Sequence, residues 1–282
     1  QMCIRDSTRS VIAGLAIALA TGGMGAAETA SEPLRVCAST KDAPFSQQDG
    51  SGFENRLAQV MADAIKRPLE LVWVNKEAIY LVRDGVDTGQ CDVMMGVDTG
   101  DPRLLTTQPY YRSGYVFVTR QDTPLESDHW EALGDQKLDT IAYRLHGPAE
   151  VLVKYAGKYE NNLIYVTSLT NFEDKRNKYT NVEAARVVSE VAKGDADVGV
   201  AFGPEIARYV KSSRTPLKVT VISNHLTRSN GVEVPLQFNQ SMGVVKSKPE
   251  LRDALDKAIV EKRAEIEAIL TDEGIPLLPP SS

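Results

Sequence analysis

Asp98, Thr99, Asp101 and Arg103 crowd one short run, GVDTGDPRLLTT. Two carboxylates so close, with Asp42 on a neighbouring expected loop, could attract a hard cation such as Ca²⁺, which takes oxygen ligands. No EF-hand-like order of ligands accompanies them, so a solvated acidic loop is the plainer reading and no metal is expected. Arg103 offers the planar fork that grips a carboxylate through two parallel hydrogen bonds. The same guanidinium could instead pair with Asp98 or Asp101 and only stiffen the loop, since loop ion pairs are common and weak.

Other chemistries find less support. His129, His146 and His225 lack the H-x-x-x-H or H-E-x-x-H spacing of a helix-borne zinc site. There is no G-x-S-x-G elbow and no Walker A loop. No carboxylate pair suggests a general acid with its base, so neither catalysis nor a cofactor is expected. His146-Gly147-Pro148 opens a helix, and a helix start can hold an anion, but Pro148 lacks one of the N–H donors. Phe45, Tyr110, Tyr111, Tyr115 and Phe202 form a set of a different kind, in a chain only 6% aromatic. Aromatic area rimmed by charge is what partner surfaces use, although each ring taken singly is more at home in a core.

Alternating strand and helix patterns would position these groups. Leu34–Ser39 reads as a strand, Phe53–Lys66 as a helix with Leu57, Val60, Met61, Ala64 and Ile65 on one face, and Leu69–Val74 as a second strand. A helix around Ile79–Val86, a turn at Gly89 and a strand from Cys91 to Gly96 follow. The loop with Asp98 to Arg103 leaves that strand's carboxyl end, where open α/β sheets place ligands. This β-α-β-α-β order predicts parallel pairing with right-handed crossovers. The run from Tyr110 to Arg120 then reads as an extended exit from the sheet. Beyond it the composition turns polar, as at a crossing into a second lobe. There the patterns predict strands at Thr140–Tyr143 and Leu163–Val166, helices at Ala149–Tyr159 and Asn181–Lys193, then a strand in KGDADVGVAF and one at Lys218–Ile222. TGQCDVMMGV and KGDADVGVAF share one plan, which two lobes of like design would produce. Ser241–Val245 reads as a strand back in the first lobe, and Pro249–Leu270 as a closing helix stopped by Gly274 and Pro276.

The chain of 282 residues, 42% hydrophobic and 25% charged, has ordinary globular composition. A formal charge of −6 without a Lys/Arg cluster argues against nucleic-acid binding. Residues 1–7 begin with Gln and are set aside as a candidate artefact of cloning or gene assembly. From Arg9 the pattern is that of a secretory signal: a basic residue, the apolar run Val11–Ala20, and a small-x-small site predicting cleavage after Ala27. Such a run is too short for a membrane anchor, so the expected location is the periplasm. Cys37 and Cys91 then remain in an oxidising compartment, which suggests one disulfide. Two separate buried thiols remain the alternative, and no C-x-x-C favours a redox pair.

LRVCAS, APF, GSGFEN and GQCDVMMGVDTGDPRLLTTQPYYRSGYVFV resemble the methanol oxidation J proteins (MxaJ, also called MoxJ, and XoxJ). These lie within the superfamily of periplasmic solute-binding proteins that includes the polar amino-acid receptors. The resemblance covers Leu34–Leu277 and implies a two-lobed α/β periplasmic binding-protein fold of type II kind, each lobe a mixed, mostly parallel sheet flanked by helices. The expected lobes are 34–120 with 224–282, and 121–223. It also implies a non-catalytic accessory protein that assists a PQQ-dependent methanol dehydrogenase, of calcium or lanthanide type. The alternative is a soluble receptor that delivers a small carboxylate to an ABC transporter. An amino-acid receptor needs an aromatic lid, a cation for the carboxylate and an anion for the ammonium. The lid position before APF is Asp42. Arg103 resembles the carboxylate-binding Arg by its place in the loop. The A-D-x-P-like setting of the ammonium-binding Asp reads Ala201-Phe202-Gly203-Pro204. Two of the three requirements are missing, which disfavours amino-acid binding.

Overall fold

A computed structural model describes residues 31–170 and 180–279; the expected leader at 1–27 lies outside them. Strands β1 (Leu34–Ser39) and β2 (Leu69–Val74) pair in parallel from Leu34 opposite Leu69 to Ser39 opposite Val74. The crossover between them is α1 (Phe53–Ala64), which buries Phe53, Leu57, Ala58, Met61 and Ala62 against the sheet. Burying Phe53, Leu57 and Met61 stabilises by about 1.5–3 kcal/mol each, and the helical spacing keeps the apolar stripe on one face.

β3 (Val93–Asp98) lies parallel on the other side of β1. It starts two residues later than the sequence pattern suggested, because Asp92 turns its carboxylate to Arg35 at 2.8 Å and Lys248 at 3.1 Å. The helix expected at Ile79–Val86 is instead a tight turn at Ala78–Tyr80 followed by a wide turn at Val82–Val86, closed by Asp87 N donating to Val82 O at 2.8 Å. Gly85 in that turn rests on the Cys37 sulfur, and a Cβ there would lie 2.4 Å from it. Cys37 and Cys91 are disulfide-bonded, with Cα atoms 5.4 Å apart, in a small cluster with Leu81, Val82 and Val86. Cys37 is on β1; Cys91 sits just ahead of β3 rather than within it.

The remaining strands are β4 (Leu105–Thr106), β5 (Tyr111–Arg120), β6 (Ile141–Tyr143), β7 (Val198–Phe202), β8 (Leu217–Val221), β9 (Leu226–Thr227), β10 (Glu233–Val234) and β11 (Gln237–Val244). The order β2-β1-β3-β11-β5-β7-β6 makes one path across the molecule, with β4 on β11 and β8 on β5. Parallel pairing holds at the flanks (β2-β1-β3 and β6-β7), whereas β11 and β5 at the centre are antiparallel to their neighbours. The mostly parallel expectation therefore fails at the centre: the two strands that carry the chain between the halves must run in opposite senses. Along β5, Tyr111 to Gly114 pair with β11, and Tyr115 to Val118 pair with β7. One hydrophobic core contains Tyr110 and Tyr111 with α1, and the other contains Val116, Phe117 and Val118.

Helices α2 (Pro148–Tyr155), α3 (Tyr159–Ser168), α4 (Ala184–Lys193) and α5 (Gly203–Lys211) surround the second core. The strand expected at Leu163–Val166 is part of α3. Asn162 is buried, donates to Lys158 O at 2.9 Å and accepts from Ile141 N at 2.7 Å. With Val166 it sets an i, i+4 burial period that outweighs the local β-propensity, and Ile164 is left 85% exposed. α4 starts at Ala184, later than expected, because Asn181 Oδ1 is taken by Leu145 N and Val182 N. The closing helix is two, α6 (Pro249–Glu261) and α7 (Arg263–Glu273), broken at Lys262. Gly274 ends α7 at φ +79°, a left-handed turn that glycine adopts without steric cost. Among the described residues no helix is long and apolar enough to cross a membrane.

Candidate functional site

Between the two cores lies a cavity of about 1060 Å³. One wall comes from the loop after β1 (Lys41, Asp42, Phe45, Ser46), the start of α1 (Glu54, Asn55), the turn at Glu77–Leu81, and β3 (Met94, Met95, Gly96, Asp98). The other comes from Tyr115 of β5, Arg144, the His146–Lys154 segment, Phe202, Glu205 and the β9–β10 hairpin. Tyr115, Phe202 and Phe238 form an aromatic face, with ring centroids 5.6, 6.2 and 5.9 Å apart. Phe45 packs on Phe53 at 4.9 Å, which anchors that side of the wall to the first core.

Glu54 occupies the floor. It faces the buried side of α1 and is only 8% exposed. Its carboxylate lies against the backbone of Gly96, where a Cβ would meet Oε1 at 2.0 Å. Gly96 also has φ +63°, so two independent constraints reserve that position for glycine. No hydrogen bond or ion pair reaches the Glu54 carboxylate from any described residue. Burial, and then repulsion from Asp42, push its pKa well above the ordinary carboxylate range. Asp42 is pushed up to about 7, by burial first; Arg144 draws it down and Glu205 raises it further. Arg144 and Glu205 are themselves paired at 3.3 Å. His146 opens α2 in a left-handed conformation, φ +64°, an unusual backbone for a side chain with a Cβ. Its Nε2 lies 2.9 Å from Thr180 O, and its backbone N donates to Glu150 at 2.9 Å.

Of the residues singled out from sequence, Asp42, Phe45, Asp98, His146, Gly147 and Phe202 line this cavity. Asp98 accepts from Gln240 at 2.8 Å. Thr99, Asp101, Arg103, Tyr110 and Tyr111 lie elsewhere. Thr99 shares a hydrogen bond with Ser241 at 2.7 Å. Arg103 forks onto Asp101, with Nη2 2.6 Å from Oδ2 and Nε 3.0 Å from Oδ1, and so stiffens its own loop. Tyr110 and Tyr111 are buried in the first core, where the Tyr110 hydroxyl accepts from Gly96 N at 3.0 Å. No group of three or more His, Cys, Asp or Glu side chains among the described residues is arranged to hold a metal ion. Sequence reasoning passed over Glu54, Arg144, Glu205 and Phe238. Glu54 left a signal: it is an acid on the apolar stripe that Phe53, Leu57 and Met61 define.

Mixed sheets meeting over a cleft in this way define a bacterial binding-protein fold, and comparison with known proteins agrees. The model of the bacterial extracellular solute-binding proteins, family 3, matches residues 34–271, and the chain belongs to that family. Within the family it falls among the MoxJ proteins: it is 58% identical over 273 residues to "Protein MoxJ" of Paracoccus denitrificans, covering 97% of this chain and 98% of that one. The crystal structure of MxaJ from Methlophaga aminisulfidivorans is 42% identical, with a TM-score of 0.81 over 87% of this chain and all of that one. The periplasmic binding protein XoxJ from Methylobacterium extorquens is 28% identical, with a TM-score of 0.62 over 88% of this chain and all of that one.

Proposed function

We propose that this chain is a non-catalytic periplasmic accessory protein of methanol oxidation, whose cleft takes an exposed segment of a PQQ-dependent methanol dehydrogenase and so aids its maturation or activation. The lobes follow the expected 34–120 with 224–282, and 121–223, with the crossings inside β5 and at the start of β11, since Val116, Phe117 and Val118, and likewise Leu226, Val234 and Leu236, pack on the second core. The observation that carries the reading is the cleft itself. At about 1060 Å³ it is at the upper end of sites for small ligands. Two apolar side chains, Ile79 at 52% and Val232 at 54% exposure, stand at its lining on opposite walls. Apolar area within a charged rim suits a protein segment. Names of similar proteins, MoxJ and MxaJ, support the pathway. The receptor reading loses its main residue, because Arg103 is held by Asp101 and does not line the cleft.

Calorimetric titration of the mature protein into its cognate methanol dehydrogenase tests the proposal. Saturable binding, weakened by Phe202→Ala, is the expected result. Failure to bind either the apo or the metal-loaded dehydrogenase would overturn it.

A further inference from the structure

We propose that the floor of the cleft, Glu54 together with Asp42, is a seat for an ammonium group, carried on an apolar stem that lies along Phe45 and the Tyr115–Phe202–Phe238 face. The inference rests on the reading that the cleft is the occupied surface and names the chemistry of what occupies it.

Glu54 is the starting point. A carboxyl group that is more than nine-tenths buried, lines a cavity and has no protein partner is costly to keep unless a ligand completes it. Helix formation does not require an acid at this position, and Gly96 makes room for it at the cost of a glycine in β3. Asp42 adds a second carboxylate on the same wall of the cavity, and its charge disfavours that of Glu54. The groups facing this pair compensate Asp42 in part and Glu54 not at all. Arg144 comes from the opposite wall and is paired with Glu205 at 3.3 Å, and the phenols Tyr110 and Tyr111 are buried in the first core, off the cavity lining. An entering cation therefore meets at Glu54 a carboxyl that no cation of the described residues compensates. An ammonium fits best: it is compact and carries three N–H donors for oxygens on two sides. A metal ion lacks the third protein ligand among the described residues. The neighbouring aromatic rings give a methylene stem apolar cover and can face the cation themselves.

Seating the cation requires both carboxyls in their charged form. Because burial holds Asp42 up to about 7 and lifts Glu54 well above the ordinary carboxylate range, binding releases protons and tightens as pH rises. The arrangement would select a lysine side chain or an amino terminus of an incoming segment, or equally a free alkylamine.

The test uses the full mature chain and four probes: N-acetyl-lysine amide, its norleucine counterpart, n-butylammonium, and a lysine-bearing hexapeptide. Calorimetry in two buffers of different ionisation enthalpy, at about pH 6 and about pH 8, reads affinity and proton release together. The lysine amide should bind at least about tenfold more tightly than the norleucine amide, more tightly at the higher pH, and with protons released. Glu54→Gln and Asp42→Asn should each weaken it about tenfold or more and reduce the proton release. Asp42 lies on a loop, so its variant reads the site even where Glu54→Gln folds poorly. A hexapeptide that binds much more tightly than n-butylammonium identifies a polypeptide segment as the source; equal affinities identify a free amine. Equal affinity for lysine and norleucine amides, no saturable ammonium binding, or variants that bind as wild type would each overturn the inference. Measuring dehydrogenase binding on the same samples separates the two readings: probes that bind while the dehydrogenase does not would overturn the partner alone.

Discussion

Replacing Glu273 should loosen the attachment of α5 to the first core. The Glu273 carboxylate is 6% exposed and lies between two guanidiniums, 2.5 Å from Arg56 Nη2 and 2.8 Å from Arg208 Nε. Arg56 belongs to α1 and Arg208 to α5, so one carboxylate ties elements that pack on different cores. Arg208 also reaches Ser51 O at 2.7 Å, and Lys211 and Asp272 extend the network at 3.2 Å. Breaking a buried pair by removing one partner costs about 3–5 kcal/mol. Both arginines are part-exposed and regain water, so the cost here falls to about 2 kcal/mol. At about 2–4 °C per kcal/mol for a chain of this size, Glu273→Ala should lower Tm by about 4–8 °C. A double-mutant cycle with Arg208→Ala, read by urea unfolding, should give a coupling of about 1–2 kcal/mol. A coupling within about 0.5 kcal/mol of zero would refute the reasoning, because the two effects would then be independent.

Further predictions follow from the same contacts. Replacing both Cys37 and Cys91 by Ser should cost about 2–5 kcal/mol, since the bond closes a loop of 54 residues' separation; reducing and non-reducing melts measure it. Gly85→Ala should destabilise by about 1–3 kcal/mol, because its Cβ has no place beside the Cys37 sulfur. The Asp42 carboxyl holds its proton more tightly folded than unfolded, so its contribution to stability is present at low pH and lost as pH rises from about 4 to about 7. Asp42→Asn should remove that fall and make the variant more stable than wild type by more than about 1 kcal/mol at pH 8, in urea titrations across that range. Arg103→Ala, which loses only an exposed pair with Asp101, should change stability by less than about 1 kcal/mol and leave dehydrogenase binding unaltered.

Elements with strong periodicity were legible in the sequence: β1, β2 and α1 lie within a residue or two of their expected bounds because one local pattern decided each. The failures share a cause in tertiary contacts that no local window contains. The LIYV run became helix because Asn162 accepts from Ile141 N and donates back to Lys158 O at the start of its own helix. The turn at Val82–Val86 departs from a regular helix where Gly85 meets a sulfur from another strand. The cleft was partly legible for the same reason. Asp42 and Phe202 stood out because they depart from a receptor pattern, and both line the cavity. The place of Glu54 on the apolar stripe was a weak signal, because an acid in the first turn of a helix is ordinary. Only the position of Gly96 makes it a cavity group. Tyr110 and Tyr111 stood among candidate partner-surface aromatics, yet both pack inside the first core.

Hydrogen exchange of this protein with and without its cognate methanol dehydrogenase tests the central claim most directly, because it locates the contact as well as detecting it. The account predicts added protection in the Lys41–Ser46 loop, the start of α1 and the β9–β10 hairpin, all of which border the cleft. Protection confined to other surfaces, such as the outer face of α3 around Ile164, or no protection at all, would contradict it.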